Sequence, residues 1–453
     1  MKRFVFLSFI AFFSLQLLHS QSIDSVSMIN KYSAIADKIY KAAMADTIAY
    51  EKIAYMCDTF GPRLSGSQNL ENALNWIHQE MIKDGLANVQ SEEVMIPHWV
   101  RNQGHCELVE PRNANMPILA IGGSVSTPPE GITAHVIVVS SFEELKKRGS
   151  EAKGKIVVYN KPFLGYGDAV QFRVWGAIHA AEVGAVASLI KPATPMSMSN
   201  PHTGMMHYED TIPKIPHASI NDEDAALLAR MVARGQDPVV HLYMSCETLP
   251  DSKSQNIMGE LTGKEKPKEI VILGGHTDSW DVGTGAHDDA SGCLSTWKAV
   301  KLLQDLGLAP KRTLRAVMFV NEENGLRGGK AYSEKHGKEN NTTLAFEFDS
   351  GLFPPSAIGY SGPDSLLRIM KYTEPLFRKI DSITVQKGGG GVDISPIVND
   401  YKVPAMSLNT RDQGKYFWYH HSNNDTIDKI DRNDFNKCIA AIALAVYIYA
   451  DLP

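Results

Sequence analysis

EIVILGGHTDSWDVGTGAHDDASGCLSTWKAVKLLQDLGL, residues Glu269 to Leu308, holds an apolar run, a polar loop and an amphipathic segment in that order. EIVILGGH reads as a buried strand, because its apolar residues run on without alternating. ASGCLSTWKAVKLLQDLGL reads as a helix that turns Leu294, Trp297, Leu302 and Leu306 inward. The rhythm then repeats, with RAVMFVNEE, LAFEFDSG and PAMSLNT as further strands. Such alternation predicts an α/β domain with a mainly parallel mixed sheet and helices on both faces. Ligands of these sheets bind beyond the carboxyl ends of the strands, so the residues just after each strand carry the most information.

Working outward, residues 25–56 have Ile29, Ala34, Ile35, Ile39 and Ala43 at helical spacing. The loop GPRLSGS (Gly61–Ser67) follows, then an amphipathic helix from near Ser67 to just before Gly85. Between residues 101 and 245 the texture changes to short β-rich runs such as HVIVVS and GKIVVYN, separated by loops. The expected organisation is an export signal over 1–20, the first part of the main domain over 21–100, an inserted β-rich domain over 101–245, and the rest of the main domain over 246–453.

The signal is read from MKRFVFLSFIAFFSLQLLHSQS (Met1–Ser22), with Lys2 and Arg3 ahead of an apolar stretch and a small or polar close. It predicts a secreted or periplasmic protein. CIAAIALAVYIYA (Cys438–Ala450) is too short to span a bilayer and is expected to be a buried terminal helix. With 453 residues, 43% hydrophobic and 21% charged, the chain has an ordinary globular composition. Its formal charge of −6 gives no reason to expect nucleic acid or an anionic membrane as partner. The five cysteines, Cys57, Cys106, Cys246, Cys293 and Cys438, are scattered and form no CxxC pair, which argues against a thiolate metal site.

The strand ends share one chemistry. EIVILGG leads into His276, Thr277 and Asp278, and the next loop holds Asp288 and Asp289. RAVMFVN leads into Glu322 and Glu323, LAFEF into Asp349, and PAMSLNT towards His420 and His421. Adjacent acids at a strand mouth repel unless a cation sits between them. Imidazole and carboxylate without thiolate suit zinc, with Mn²⁺ or Co²⁺ as substitutes. A shared carboxylate with one His and one further acid on each side makes a two-metal site. It favours hydroxide between the ions near neutral pH, and one acid stays free to handle protons.

The ordered set HTD, GAHDDASG, NEE, FEFD and HHSNNDT resembles the co-catalytic zinc exopeptidases of peptidase family M28, and GPRLSGS fits the same likeness. The resemblance covers essentially the whole mature chain, with a PA-like (protease-associated) insertion. It implies two Zn²⁺ per chain, one on His276, Asp288 and Asp349 and the other on Asp288, Glu323 and His421. It makes Glu322 the general base acting on a metal-bridging hydroxide. Asp278 would accept the other N–H of His276 and fix its tautomer. It also implies a cis peptide between Asp288 and Asp289, a small-peptide substrate and a homodimer. One departure stands out. Several relatives carry Tyr just before the last His, whereas this chain has His420, with Tyr419 one residue earlier. The oxyanion role is therefore open between His420, Tyr419 and backbone groups.

Other residues receive plainer readings. Glu347 competes with Asp349, and the position nearer the strand exit is preferred. His287 is read as a supporting or exposed residue, Cys293 as core, and GGGGV (Gly388–Val392) as a flexible substrate-side loop with Asp393 behind it to meet a substrate amine. The expected activity is hydrolysis of dipeptides or short peptides. The alternatives are an aminopeptidase acting on longer peptides, a single-zinc glutaminyl cyclase-like transferase, and a binding module that has lost catalysis.

Overall fold

The computed structural model describes residues 24–453, so the expected export signal lies outside the described residues. Eight strands, numbered in chain order, form the main sheet. They are β1 (Ala87–Val100), β2 (Glu247–Leu261), β3 (Lys266–His276), β4 (Arg312–Phe319), β5 (Thr342–Glu347), β6 (Pro355–Ser361), β7 (Thr384–Lys387) and β8 (Ala405–Thr410). Their spatial order is β1-β2-β4-β3-β5-β8-β6-β7. The central four, β4, β3, β5 and β8, are parallel, while β2 and β6 join them antiparallel on either side. The carboxyl ends of the central strands therefore open onto one rim, as a mixed sheet wound in this way requires.

Helices α1 (Ser25–Ala45), α2 (Ile48–Phe60), α3 (Gln68–Lys83), α5 (Ser291–Asp305), α6 (Arg327–His336) and α7 (Arg432–Asp451) cover both faces, while α4 (Tyr166–Glu182) belongs to the insertion. The helical run expected over 25–56 is two helices. Asp46 breaks it, because its carboxylate accepts the amides of Ile48 (2.6 Å) and Ala49 (3.0 Å) and so starts α2 afresh. Helix α3 begins as expected, with the Ser67 hydroxyl accepting from Leu70 N at 3.2 Å. The terminal apolar stretch lies in α7, buried against the sheet with Leu294, Val271 and Leu314 in one core. Among the described residues no helix is long and apolar enough to cross a membrane. All five cysteines are buried and free.

Strand β3 is buried over Ile270–Leu273, and its two glycines decide how the site is assembled. A Cβ on Gly275 would lie 2.9 Å from Cys293 N, so only glycine lets the first turn of α5 come down onto the strand end. That approach brings the Asp288 loop over His276.

The insertion builds a second eight-stranded sheet from segments between Gly104 and Met244, with its own core around Leu108, Val136, Val158 and Leu189. It carries more helix than the sequence suggested. Ile132–Val139, Ile156–Tyr159, Ala187–Ile190 and His217–Ile220 are parallel neighbours. Parallel neighbours need crossovers, and α4 is one of them.

His217 sits fully buried in this sheet, between the Ser188 hydroxyl (2.7 Å) and the Arg173 carbonyl (3.2 Å). Burial pushes its imidazole down to about 4. A folded value below the unfolded one means that stability is intact above pH 6.5 and is lost as pH falls towards 4. The expected loss from this group is about 3 kcal/mol. Urea unfolding of the wild type and of His217→Asn across that window checks it, with the variant showing the shallower decline.

Candidate metal centre

Three backbone devices place the ligand-type side chains. Arg63, fully buried in the GPRLSGS loop, donates to the carbonyls of Thr277 (2.8 Å), Thr284 (2.6 Å) and Gly285 (3.1 Å), tying the loop after β3 to the loop before Asp288. Asp289 accepts from His276 N (3.2 Å) and Gly292 N (2.9 Å), which fastens the strand end to the start of α5. Asp425 accepts from His287 N (2.7 Å) and Asp288 N (3.1 Å) and holds the other side of that loop. The peptide between Asp288 and Asp289 is cis.

The side chains converge. His276 Nε2 is 3.5 Å from Asp288 Oδ1 and 4.0 Å from both Glu322 Oε2 and Asp349 Oδ2. His421 Nε2 lies 3.2 Å from Asp288 Oδ2 and 3.0 Å from Glu323 Oε2. The donor atoms of His276, Asp288 and Asp349 fall within 4.8 Å of one another, and so do those of Asp288, His420 and His421. Asp288 belongs to both clusters, which is what a shared carboxylate must do.

The donor set fits a divalent cation. His276 Nε2, Asp288 Oδ2, Glu323 Oε1 and Asp349 Oδ1 are buried and make no hydrogen bond. An unpaired buried polar atom costs about 1–3 kcal/mol, so four in one cluster call for a partner of opposite charge. Nitrogen and oxygen donors without sulfur match zinc.

The charges point the same way. Burial raises Asp349 to about 6, with Asp288 pushing it further up. Burial also raises Glu322 well above the usual carboxylate range; Glu323, Asp349 and Asp288 add to that, against the opposing pull of His276. Burial would lower His276, but the neighbouring carboxylates of Asp288, Glu322 and Asp349 outweigh it and hold the imidazole well above its ordinary value. Acids that cannot all ionise together are short of positive charge. Glu322 and Asp349 are the open members, with 18% and 19% of their side chains exposed, against 3% for Glu323.

Each residue singled out from the sequence has a definite place. Glu347 does not compete with Asp349. Its carboxylate accepts from Val392 N (2.8 Å) and Ile394 N (2.9 Å) and so ties down the GGGGV loop. A Cβ on Gly391 would come within 2.5 Å of Glu347 Oε2, which accounts for glycine there. Asp393, behind that loop, is 1% exposed, and neither of its carboxylate oxygens has a hydrogen-bond partner. His287 is buried, accepts from Leu352 N at 3.0 Å and stacks on Tyr419 at 5.3 Å between centroids. His420 stacks on His421 at 3.5 Å, with Nε2 3.6 Å from Asp288 Oδ2.

The role expected of the Asp278 carboxylate needs correction. His276 Nδ1 pairs with the Asp278 backbone carbonyl at 2.9 Å, while the nearer carboxylate oxygen is 3.9 Å away. A short HxD turn brings the main chain closer than the side chain. The carboxylate instead accepts from Glu322 N (3.2 Å), Glu323 N (3.3 Å) and the Ser65 hydroxyl (3.3 Å), and so positions both glutamates.

Sequence reading missed Arg63, Asp289 and Asp425 as anchors, and it missed the part that the expected insertion plays at the site. From the insertion, Thr203 N donates to the His421 carbonyl (2.9 Å), the Thr203 carbonyl faces His421 Nδ1 (3.3 Å), and Arg173 and Tyr166 flank the paired histidines. All three anchors had a signal, since Arg63 lies inside the quoted GPRLSGS loop and Asp289 and Asp425 inside the quoted acidic motifs.

A model of peptidase family M28 matches residues 256–446. Carboxypeptidase Q of Mus musculus is 46% identical over 406 residues, covering 89% of this chain and 86% of that protein. Carboxypeptidase Q of Homo sapiens is 44% identical over 410 residues, covering 90% and 86%. Among solved structures, a peptidase M28 precursor from Shewanella amazonensis superposes with a TM-score of 0.88 at 31% identity, covering 93% of this chain and 97% of that one. The zinc aminopeptidase BSAP of Bacillus subtilis shares the fold, with a TM-score of 0.67 at 21% identity over 88% and 94%.

Proposed function

This chain belongs to peptidase family M28, and on that premise we propose that it is an exported exopeptidase that holds two zinc ions and hydrolyses dipeptides or short peptides. The observation that carries the proposal is the group of four unpartnered buried donor atoms, three of them in the residues that also meet in the His276–Asp288–Asp349 cluster. His276, Asp288 and Asp349 would hold one ion, and Asp288, Glu323 and His421 the other. Bound zinc would supply positive charge that polarises the scissile carbonyl and acidifies water.

The chain's own groups do the rest. Glu322, more exposed than Glu323, takes the proton from the attacking water and returns it to the departing amine. Asp278 holds the backbone of Glu322 and Glu323, so the base keeps its aim. His420, with Nε2 3.6 Å from Asp288 Oδ2, would steady the oxyanion. Export is supported by the apolar stretch Phe4–Leu18 behind Lys2 and Arg3. The proposal also includes a small-peptide substrate, no nucleic-acid or membrane partner, and a homodimer, whose mass light scattering would read.

Two clusters around one carboxylate favour hydrolysis with two metals over a single-zinc cyclase. The test is a panel of unblocked, N-blocked and C-amidated dipeptides, assayed with and without chelator alongside zinc analysis. Chelation should abolish cleavage, with close to two zinc per chain. One zinc per chain, or cleavage that survives chelation, overturns the proposal.

A further inference from the structure

His421 is reached from the insertion through a chain of contacts that starts where the two domains join. Arg101, the residue after β1, forms a two-pronged ion pair with Asp281, in the loop after β3: Nε meets Asp281 Oδ2 at 2.8 Å, and Nη2 meets Oδ1. The pair is mostly covered, with 11% and 25% of the two side chains exposed. The remaining nitrogen, Nη1, donates to the Thr203 hydroxyl (3.2 Å) and to the Ala120 carbonyl. The Thr203 hydroxyl donates to that same carbonyl at 3.0 Å. One planar fork therefore joins a loop of the main domain to two segments of the insertion, a task that a lysine could do only in part.

The Thr203 main chain in turn grips His421. Its N–H donates to the His421 carbonyl (2.9 Å), and its own carbonyl faces His421 Nδ1 (3.3 Å). With Nε2 turned towards Asp288 and Glu323, Nδ1 carries the hydrogen, and the Thr203 carbonyl accepts it. His421 needs this hold. Its φ is 59°, a left-handed conformation that costs a residue with a side chain and persists only where neighbours enforce it. Next to Asp281, Trp280 lies in the insertion's core and meets the His421 ring edge-on at 5.7 Å. A Cβ on Gly122 would overlap that indole, so the insertion is cut to receive it. His276 has no such dependence: its hydrogen bonds run to the Asp278 carbonyl (2.9 Å) and the Asp289 carboxylate (3.2 Å), both in the main domain.

We infer that the Arg101–Asp281 pair is a positioning device for one metal only. Docking of the insertion aims His421, so the ion held by Asp288, Glu323 and His421 depends on the insertion, whereas the ion held by His276, Asp288 and Asp349 does not. The inference rests on the two-zinc reading above. Arg101 and Asp281 are not among the metal ligands; they act through Thr203 and Trp280, and they make the insertion a controller of metal loading.

The test is zinc titration against a competing chelator on the full chain of wild type, Arg101→Met, Asp281→Asn, Arg101→Lys and Thr203→Val. In Arg101→Met and Asp281→Asn, one zinc site should lose about 10- to 100-fold in affinity while the other stays within about threefold. Combining the two substitutions should add little, since both break the same pair. Arg101→Lys should recover part of the loss. Crystals of Arg101→Met at limiting zinc should keep the anomalous peak beside His276 and lose the one beside His421. Turnover should fall with that ion and return as zinc is added. Equal weakening of both sites would reduce Arg101 to a general support of the fold and overturn the inference, as would two unchanged affinities. Should Arg101→Met not fold, Thr203→Val decides, because it keeps size and main chain and loses only the hydroxyl: a selective loss of about threefold supports the device, and no change sinks it. If wild type holds fewer than two zinc, the two-metal reading itself has failed.

Discussion

Glu322→Gln should lower kcat on an unblocked dipeptide by about 10³-fold while leaving zinc content and KM close to wild type. Glutamine fills the same volume and keeps a hydrogen-bonding carbonyl, but it cannot take a proton from water and pass it on. Glu322 is also the more open of the two adjacent acids, its side chain 18% exposed against 3% for Glu323. Its backbone amide remains held by Asp278 at 3.2 Å, so the substitution should not move the loop. Stopped assays with metal analysis on the same preparation are the check. If turnover and zinc fall together, Glu322 is a ligand. If turnover is unchanged, some other group moves the proton.

Asp288→Asn should have the larger effect. Asp288 lies in both clusters, within 3.5 Å of His276 and 3.2 Å of His421. Burial would raise its acid, but the imidazoles of His276 and His421 beside it outweigh that and hold it well below the usual range. It is therefore the carboxylate best able to stay ionised. Removing its charge weakens both metal positions at once. Activity should fall by about 10⁴-fold or more, because the several kcal/mol that metal contributes to the transition state disappear. Zinc at about 100 times its Kd should stabilise the wild type by about 2.7 kcal/mol per site, and the variant should lose most of that gain. Calorimetric scans with and without zinc read it. A variant that still gains full stability from zinc would remove Asp288 from the shared position.

The site was legible where strand ends carry it. His276, Glu322, Glu323 and Asp349 each follow an apolar run, and a sheet with parallel central strands sends such residues to one rim. The two-residue period of a strand could not separate Glu347 from Asp349, since both point the same way. What separates them is the amides of Val392 and Ile394, which come from a loop some 45 residues later. The Asp278 side chain was misjudged for a similar reason: HxD spacing reports proximity, but it does not say whether carbonyl or carboxylate arrives first. Arg173, Tyr166 and Thr203 were invisible. They lie about 220 to 255 residues before His421, in a different sheet, and a lone arginine on a helix carries no motif. The expected single run of helix over 25–56 failed at Asp46, where a side chain competing for backbone amides ends one helix and starts the next.

The most direct measurement is anomalous diffraction at the zinc edge from crystals grown with zinc in excess. Two peaks should appear, one beside His276 and Asp349 and one beside Glu323 and His421, with the Asp288 carboxylate between them and Glu322 touching neither. A single peak, or a pair that does not share Asp288, would contradict the two-metal account.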